Sequence, residues 1–140
     1  MAEKDYSHRD LLDKLGLKPG FAVRVVGGAD KALLARVRAN VGRAPVRRGL
    51  ADVVLYWPRR VAEITPSLVE LRGAIVEAGG IWVFTARRSQ RSASGMDYLN
   101  QSDLIPLGLA AGLVDNKTCS VSEIESAMRF VIRRRDRKAV

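Results

Sequence analysis

The chain has 140 residues, with 24 Lys or Arg against 15 Asp or Glu and a formal charge of +9. At 47% hydrophobic and 28% charged, it has the composition of a globular protein able to bury one core, which excludes a disordered tail. Cys119 is the single cysteine and His8 the single histidine, so an internal disulfide, a Cys/His zinc site and an imidazole-based triad are excluded.

The first residues, Met1-Ala2-Glu3-Lys4-Asp5, carry no apolar core of a signal peptide, and no stretch is long enough to span a membrane. The expectation is a cytoplasmic protein with one domain over residues 1–140, bearing a short polar N-terminal arm and a basic tail over 133–140. Leu11, Leu12 and Leu15 stand at helical spacing and predict a brief helix closed by Gly16. Phe21-Ala22-Val23-Arg24-Val25-Val26, after Pro19-Gly20, reads as a first strand ended by Gly27-Gly28; Arg24 is odd in such a strand. Asp30 suits an N-cap. From Lys31 to Val41, Leu33, Leu34, Val37 and Val41 form one apolar stripe, with Gly42 as the stop.

Ala44-Pro45-Val46-Arg47-Arg48 is ambiguous, and a second strand at about 45–48 stays open. The runs Asp52 to Trp57 and Ile81 to Ala86 are continuously apolar, as strands covered on both faces are. Between them Thr65-Pro66 signals a helix start, with Leu68, Leu71 and Ile75 at helical spacing up to Gly79-Gly80. A Ser/Gly loop from Ser89 to Gly95 leads to a second helical stretch around Ser102 to Gly112, where Pro106 fits the first turn better than the interior. Lys117 to Val121 and Met128 to Arg133 then predict a terminal hairpin. Strands alternating with helices predict an α/β fold: a small three-layer, Rossmann-like, mostly parallel sheet with right-handed crossovers and a C-terminal antiparallel hairpin.

Gly112-Leu113-Val114-Asp115-Asn116-Lys117-Thr118-Cys119-Ser120-Val121, followed by Ala127-Met128-Arg129-Phe130-Val131, resembles the bacterial family filed as domain of unknown function 3052. Leu15-Gly16-Leu17-Lys18-Pro19-Gly20 and Gly79-Gly80-Ile81-Trp82-Val83 match it too, so the resemblance covers nearly the whole chain. It implies a small protein with no established activity. The chain departs from the family in carrying Glu125 in place of an aromatic and Ala86 in place of a proline. The order of elements also resembles the Rossmann-like methyltransferases that use S-adenosylmethionine, an analogy of fold alone. Those enzymes have a Gly-x-Gly-x-Gly turn and an acid after the second strand for the ribose hydroxyls. This chain has Val26-Gly27-Gly28-Ala29-Asp30 and then Arg47-Arg48, and arginine cannot accept a hydrogen bond. A standard cofactor site would need another acid, such as Asp52.

Three basic pairs follow strand ends on this reading: Arg47-Arg48, Arg59-Arg60, and Arg87-Arg88 with Arg91 close behind. One rim of a parallel sheet would gather them where open α/β folds bind ligands, and guanidinium forks suit phosphate. The alternative is that they are solvated loop residues. Gly27-Gly28 could cradle a phosphate at the next helix, although a carboxylate at Asp30 would already satisfy the amides there. Trp57 and Tyr98 could stack on a base or plug the core. Asp115-Asn116-Lys117 could line a pocket or form a helix-to-strand turn. Cys119 reads as a buried strand thiol. With no partnered general base in view, the sequence leads to a non-enzymatic module that binds nucleic acid or a phosphorylated small molecule through the arginine rim, with no cofactor. A methyltransferase-like enzyme with a non-standard S-adenosylmethionine site, or a scaffold domain, is the alternative.

Overall fold

The computed structural model describes residues 11–28, 30–86, 101–122 and 125–137. His8, Arg87, Arg88, Arg91 and Tyr98 lie outside the described residues. A helical segment over residues 11–14 is followed by β1 (Val23–Val26), α1 (Lys31–Val41), β2 (Ala51–Tyr56), α2 (Ile64–Arg72), β3 (Ile75–Ala86), α3 (Gln101–Ala110), β4 (Leu113–Ser120) and β5 (Glu125–Ile132). The five strands form one open sheet in the order β1-β2-β3-β5-β4, parallel from β1 to β3 and antiparallel where β5 meets β3 and β4. This is the expected three-layer, Rossmann-like α/β fold with its terminal hairpin. Among the described residues no helix is long and apolar enough to cross a membrane.

Alternation along the strands builds two cores. Val54, Tyr56, Ile81, Val83, Met128 and Phe130 face α2 and α3, while Val53, Leu55, Trp82, Phe84 and Ala127 face α1 and residues 11–17. The caps act as the sequence suggests. The Asp30 carboxylate accepts from the Leu33 amide at 3.1 Å, and Gly42, at φ 81°, returns its amide to the Arg38 carbonyl at 2.8 Å.

Four local expectations are corrected. Residues 44–48 are a loop, joined to the outer edge of β1 by one backbone bond from the Val46 amide to the Val23 carbonyl at 2.8 Å. α2 stops at Arg72, and Ile75, Gly79 and Gly80 belong to β3: three extra β3 residues between the pairs Ala51–Ile75 and Val53–Gly80 make a bulge that a helical reading of the leucines overruns. Pro106 stands inside α3, not in its first turn. Asp115, Asn116 and Lys117 lie within β4, where the register slips between Asp115 and Lys117 and leaves Asn116 as the bulged residue.

The hand of the connections also differs from expectation. β1, β2 and β3 step one way across the sheet, yet α1 and α2 pack on opposite faces, so the two crossovers cannot share one hand. Residues 43–50 show why. They leave α1 on one face, pass the outer edge of β1, and set Val46 against the other core, where the half-buried Arg24 donates to the Gly49 carbonyl at 3.0 Å. Arg24 thus fastens this wrap.

Candidate functional site

The carboxyl ends of β1 and β2 meet the start of β5, because Ala86 at the end of β3 pairs with Glu125. Gly27 turns the chain out of β1 at φ 99°, a conformation that favours glycine, and a Cβ there would run into the Trp57 carbonyl oxygen. The close approach is set by the bond from the Trp57 amide to the Val26 carbonyl, 2.8 Å. Gly27 therefore serves the β1–β2 packing. Gly28 beside it faces open space and is exposed.

Trp57 is half-buried, stacked on Phe84 with ring centroids 4.1 Å apart and planes 9° from parallel. Its indole N–H donates to Glu125 Oε2 at 3.0 Å. Burial pushes the Glu125 carboxyl above its ordinary range; the Trp57 bond opposes this and the charge of Asp30 adds to it. Asp30 and Glu125 thus face one another electrostatically across this edge. On the other face, Glu63 Oε2 accepts from the Tyr56 hydroxyl at 3.1 Å and the Arg59 amide at 2.9 Å. Burial first, then the Glu63 charge and hydrogen bond, hold the Tyr56 phenol up at about 12 against a lowering bond with Ser67.

Of the residues singled out in the sequence, this edge brings together Gly27, Gly28, Trp57, Arg59 and Arg60, the last two exposed. Arg47 and Arg48 are not there. They are exposed in the loop that leads to the amino end of β2, beside Val23 and Arg24, because residues 44–48 form no strand. Asp115, Asn116 and Lys117 lie along edge strand β4. Asp52 stands at the amino end of β2, where its Oδ2 accepts from the Ala22 amide at 2.8 Å, so it cannot serve the opposite edge. Cys119 is buried, as expected. Glu125 escaped the sequence reading as a site residue. Its signal was the acid standing where the resembling family carries an aromatic.

No family model and no curated protein sequence matches the chain. Its fold does match solved structures. The CcbJ methyltransferase from Streptomyces caelestis aligns at TM-score 0.60 and 9% identity over 92% of this chain and 90% of that one. The magnesium protoporphyrin IX methyltransferase of Synechocystis PCC 6803, with bound SAH, aligns at TM-score 0.57 and 12% identity over 95% and 90%. The N,N-8-amino-8-demethyl-D-riboflavin dimethyltransferase of Streptomyces davawensis aligns at TM-score 0.64 and 13% identity over 91% of this chain and 54% of its own. These likenesses establish the fold as that of S-adenosylmethionine-dependent methyltransferases. They overturn the expectation of a non-enzymatic, cofactor-free module reading anions through an arginine rim. The physical reason is visible in the same place: the rim lacks Arg47 and Arg48, and the side chains that make contacts there include the carboxylates of Asp30, Glu63 and Glu125.

Proposed function

We propose that this chain, as a single cytoplasmic domain, is a methyltransferase-like protein that binds S-adenosylmethionine at the carboxyl edge of β1 and β2. The observation that carries the reading is the acid pair. Burial and then the charge of Asp30 raise the cost of the Glu125 charge, and a cation beside the two carboxylates relieves it. The methionine end of the donor carries two such cations, a sulfonium and an ammonium. The half-buried indole of Trp57 adds a π surface that attracts the same charge, and the exposed turn at Gly28 leaves room beside it.

The fit is to the methionine half. Among the described residues β1 is an edge strand with no second strand outside it to offer an acid to the ribose, and Arg47-Arg48 are donors at the wrong end of the sheet. When bound, the donor supplies an electrophilic methyl group. Asp30 and Glu125 orient its charged end, and Trp57, braced by Phe84, fixes Glu125 through the indole N–H. The Val-Asp-Asn-Lys-x-Cys block of β4 supports counting the chain with the domain of unknown function 3052.

Thermal unfolding with millimolar S-adenosylmethionine tests this. A donor at about a hundred times its dissociation constant adds roughly 2.7 kcal/mol, a rise of several degrees for a domain of this size. The thioether product raises the midpoint less, because it keeps the ammonium but lacks the sulfonium. No shift with either compound, or equal shifts in wild type and the Asp30→Asn, Glu125→Gln double variant, sinks the reading.

A further inference from the structure

On the face that carries α1, a cleft of 440 Å³ opens between residues 13–21 and the strands, floored by Trp82 and Arg129 and reached by Lys18 and Lys117. It shares no residue with the edge formed by Gly27, Asp30, Trp57 and Glu125. Two irregularities of the sheet build it. In β4, Asp115 pairs with Phe130 and Lys117 with Arg129, so the bulged Asn116 turns Lys117 onto the Arg129 face; in regular register Lys117 would share a face with Met128. In β3, Gly80 leaves space for the Arg129 guanidinium, whose central carbon would stand 2.6 Å from a Cβ at that position.

The result is a group of like charges directly across a strand pair, an arrangement that costs stability by itself. Arg129 is half-buried, and burial lowers its proton affinity, as does the nearby charge of Arg137. Among the described residues neither Arg129 nor Lys117 nor Lys18 has an ion-pair partner. Asp52 lines the same cleft with one oxygen committed to the Ala22 amide, and Asp13 lines it at the exposed end of the helical segment. Trp82 is pinned to the floor by its indole bond to the Leu15 carbonyl, 3.0 Å, and Phe21 gives an apolar wall.

We propose that this cleft is a second ligand site, in which Arg129, Lys117 and Lys18 receive the phosphate or carboxylate group of a small metabolite whose body lies against Phe21 and Trp82. A guanidinium fork matches either anion in two parallel hydrogen bonds, and the volume suits a molecule of metabolite size. The site stands independently of the methyl-donor reading, since it lies on different residues.

Isothermal calorimetry on the full chain at low salt, with inorganic pyrophosphate and citrate as separate probes, tests it and tells the two anion classes apart. Saturable binding of one equivalent of either probe is expected, weakened about tenfold by Arg129→Gln and by Lys117→Gln, as the loss of one charge-assisted contact implies. The Arg59→Gln, Arg60→Gln double variant binds unchanged. Lys117 is exposed, so its variant keeps the fold and decides the matter if Arg129→Gln unfolds. Absence of saturable heat with both probes, or unaltered affinity in the Lys117 variant, overturns the proposal. Asp30→Asn with Glu125→Gln leaves pyrophosphate and citrate binding intact, so the two sites fail separately.

Discussion

The carboxyl edge and the α1-side cleft differ in charge, and the difference is not the one a count of basic residues suggests. At the edge, carboxylates make the contacts: Asp30 caps α1, Glu63 collects the Tyr56 hydroxyl and the Arg59 amide, and Glu125 holds the Trp57 indole. In the cleft, Lys18, Lys117 and Arg129 converge. A chain with a formal charge of +9 thus keeps an acidic pair at the end of its parallel strands and gathers four cations, Lys14 with these three, around the cleft. Composition sets the sum of the charges. Register and bulges decide where they meet.

The strongest way to break the contrast is to disturb the turn that aligns the edge. Gly27→Ala forces a Cβ into the Trp57 carbonyl at a positive φ, and strain plus overpacking should cost about 4 kcal/mol, read by denaturant unfolding. Asp30→Ala removes the cap of α1 and should cost about 1 kcal/mol in the same assay, while lowering affinity for the sulfonium compound. Gly80→Ala sharpens the contrast from the other side. Its new methyl meets only the far end of the Arg129 side chain, so stability changes by less than about 1 kcal/mol while anion binding in the cleft falls and donor binding at the edge persists.

The smallest effect is one of pH. Glu125 has a folded-state proton affinity above its unfolded value of 4.5, chiefly from burial. Its protonated form is therefore favoured by folding, and the stability it contributes is complete below the unfolded value and lost as pH rises through the folded one. Glu125→Gln keeps an acceptor for the indole N–H and should flatten the midpoint of thermal unfolding as pH rises above the unfolded value of 4.5, where the wild type declines. A wild-type midpoint that rises across this window contradicts the assignment.

Most of the fold was legible because its elements are locally consistent. Asp30 and Gly42 bracket α1, the apolar runs of β2 and β3 announce strands covered on both faces, and Met128 to Ile132 alternates as the hairpin strand it is. What was not legible depends on contacts distant in sequence. Trp57 and Glu125 lie 68 residues apart and meet only because β2 and β5 both pair with β3, one on either side. Gly79 and Gly80 read as a stop, since nothing local says that Arg129 will need the space. Asn116 stayed open between a pocket lining and a turn because a bulge within a strand has the same residues as a turn between elements. The wrap of residues 43–50 leaves no periodic signal, so the usual right-handed rule filled the gap.

That wrap also bears on how the molecule meets other copies of itself. β1 ends the sheet, and an end strand offers unpaired amides and carbonyls to any extended chain that approaches. Here the approach is obstructed from within. Val46 takes the Val23 carbonyl, Pro45 next to it brings no amide, and the exposed Arg47 and Arg48 crown the same border with positive charge that a second copy would carry too. The arginine pair that the sequence offered as a ligand contact thus places like charge beside the border of the sheet where a second copy would have to add a strand to β1.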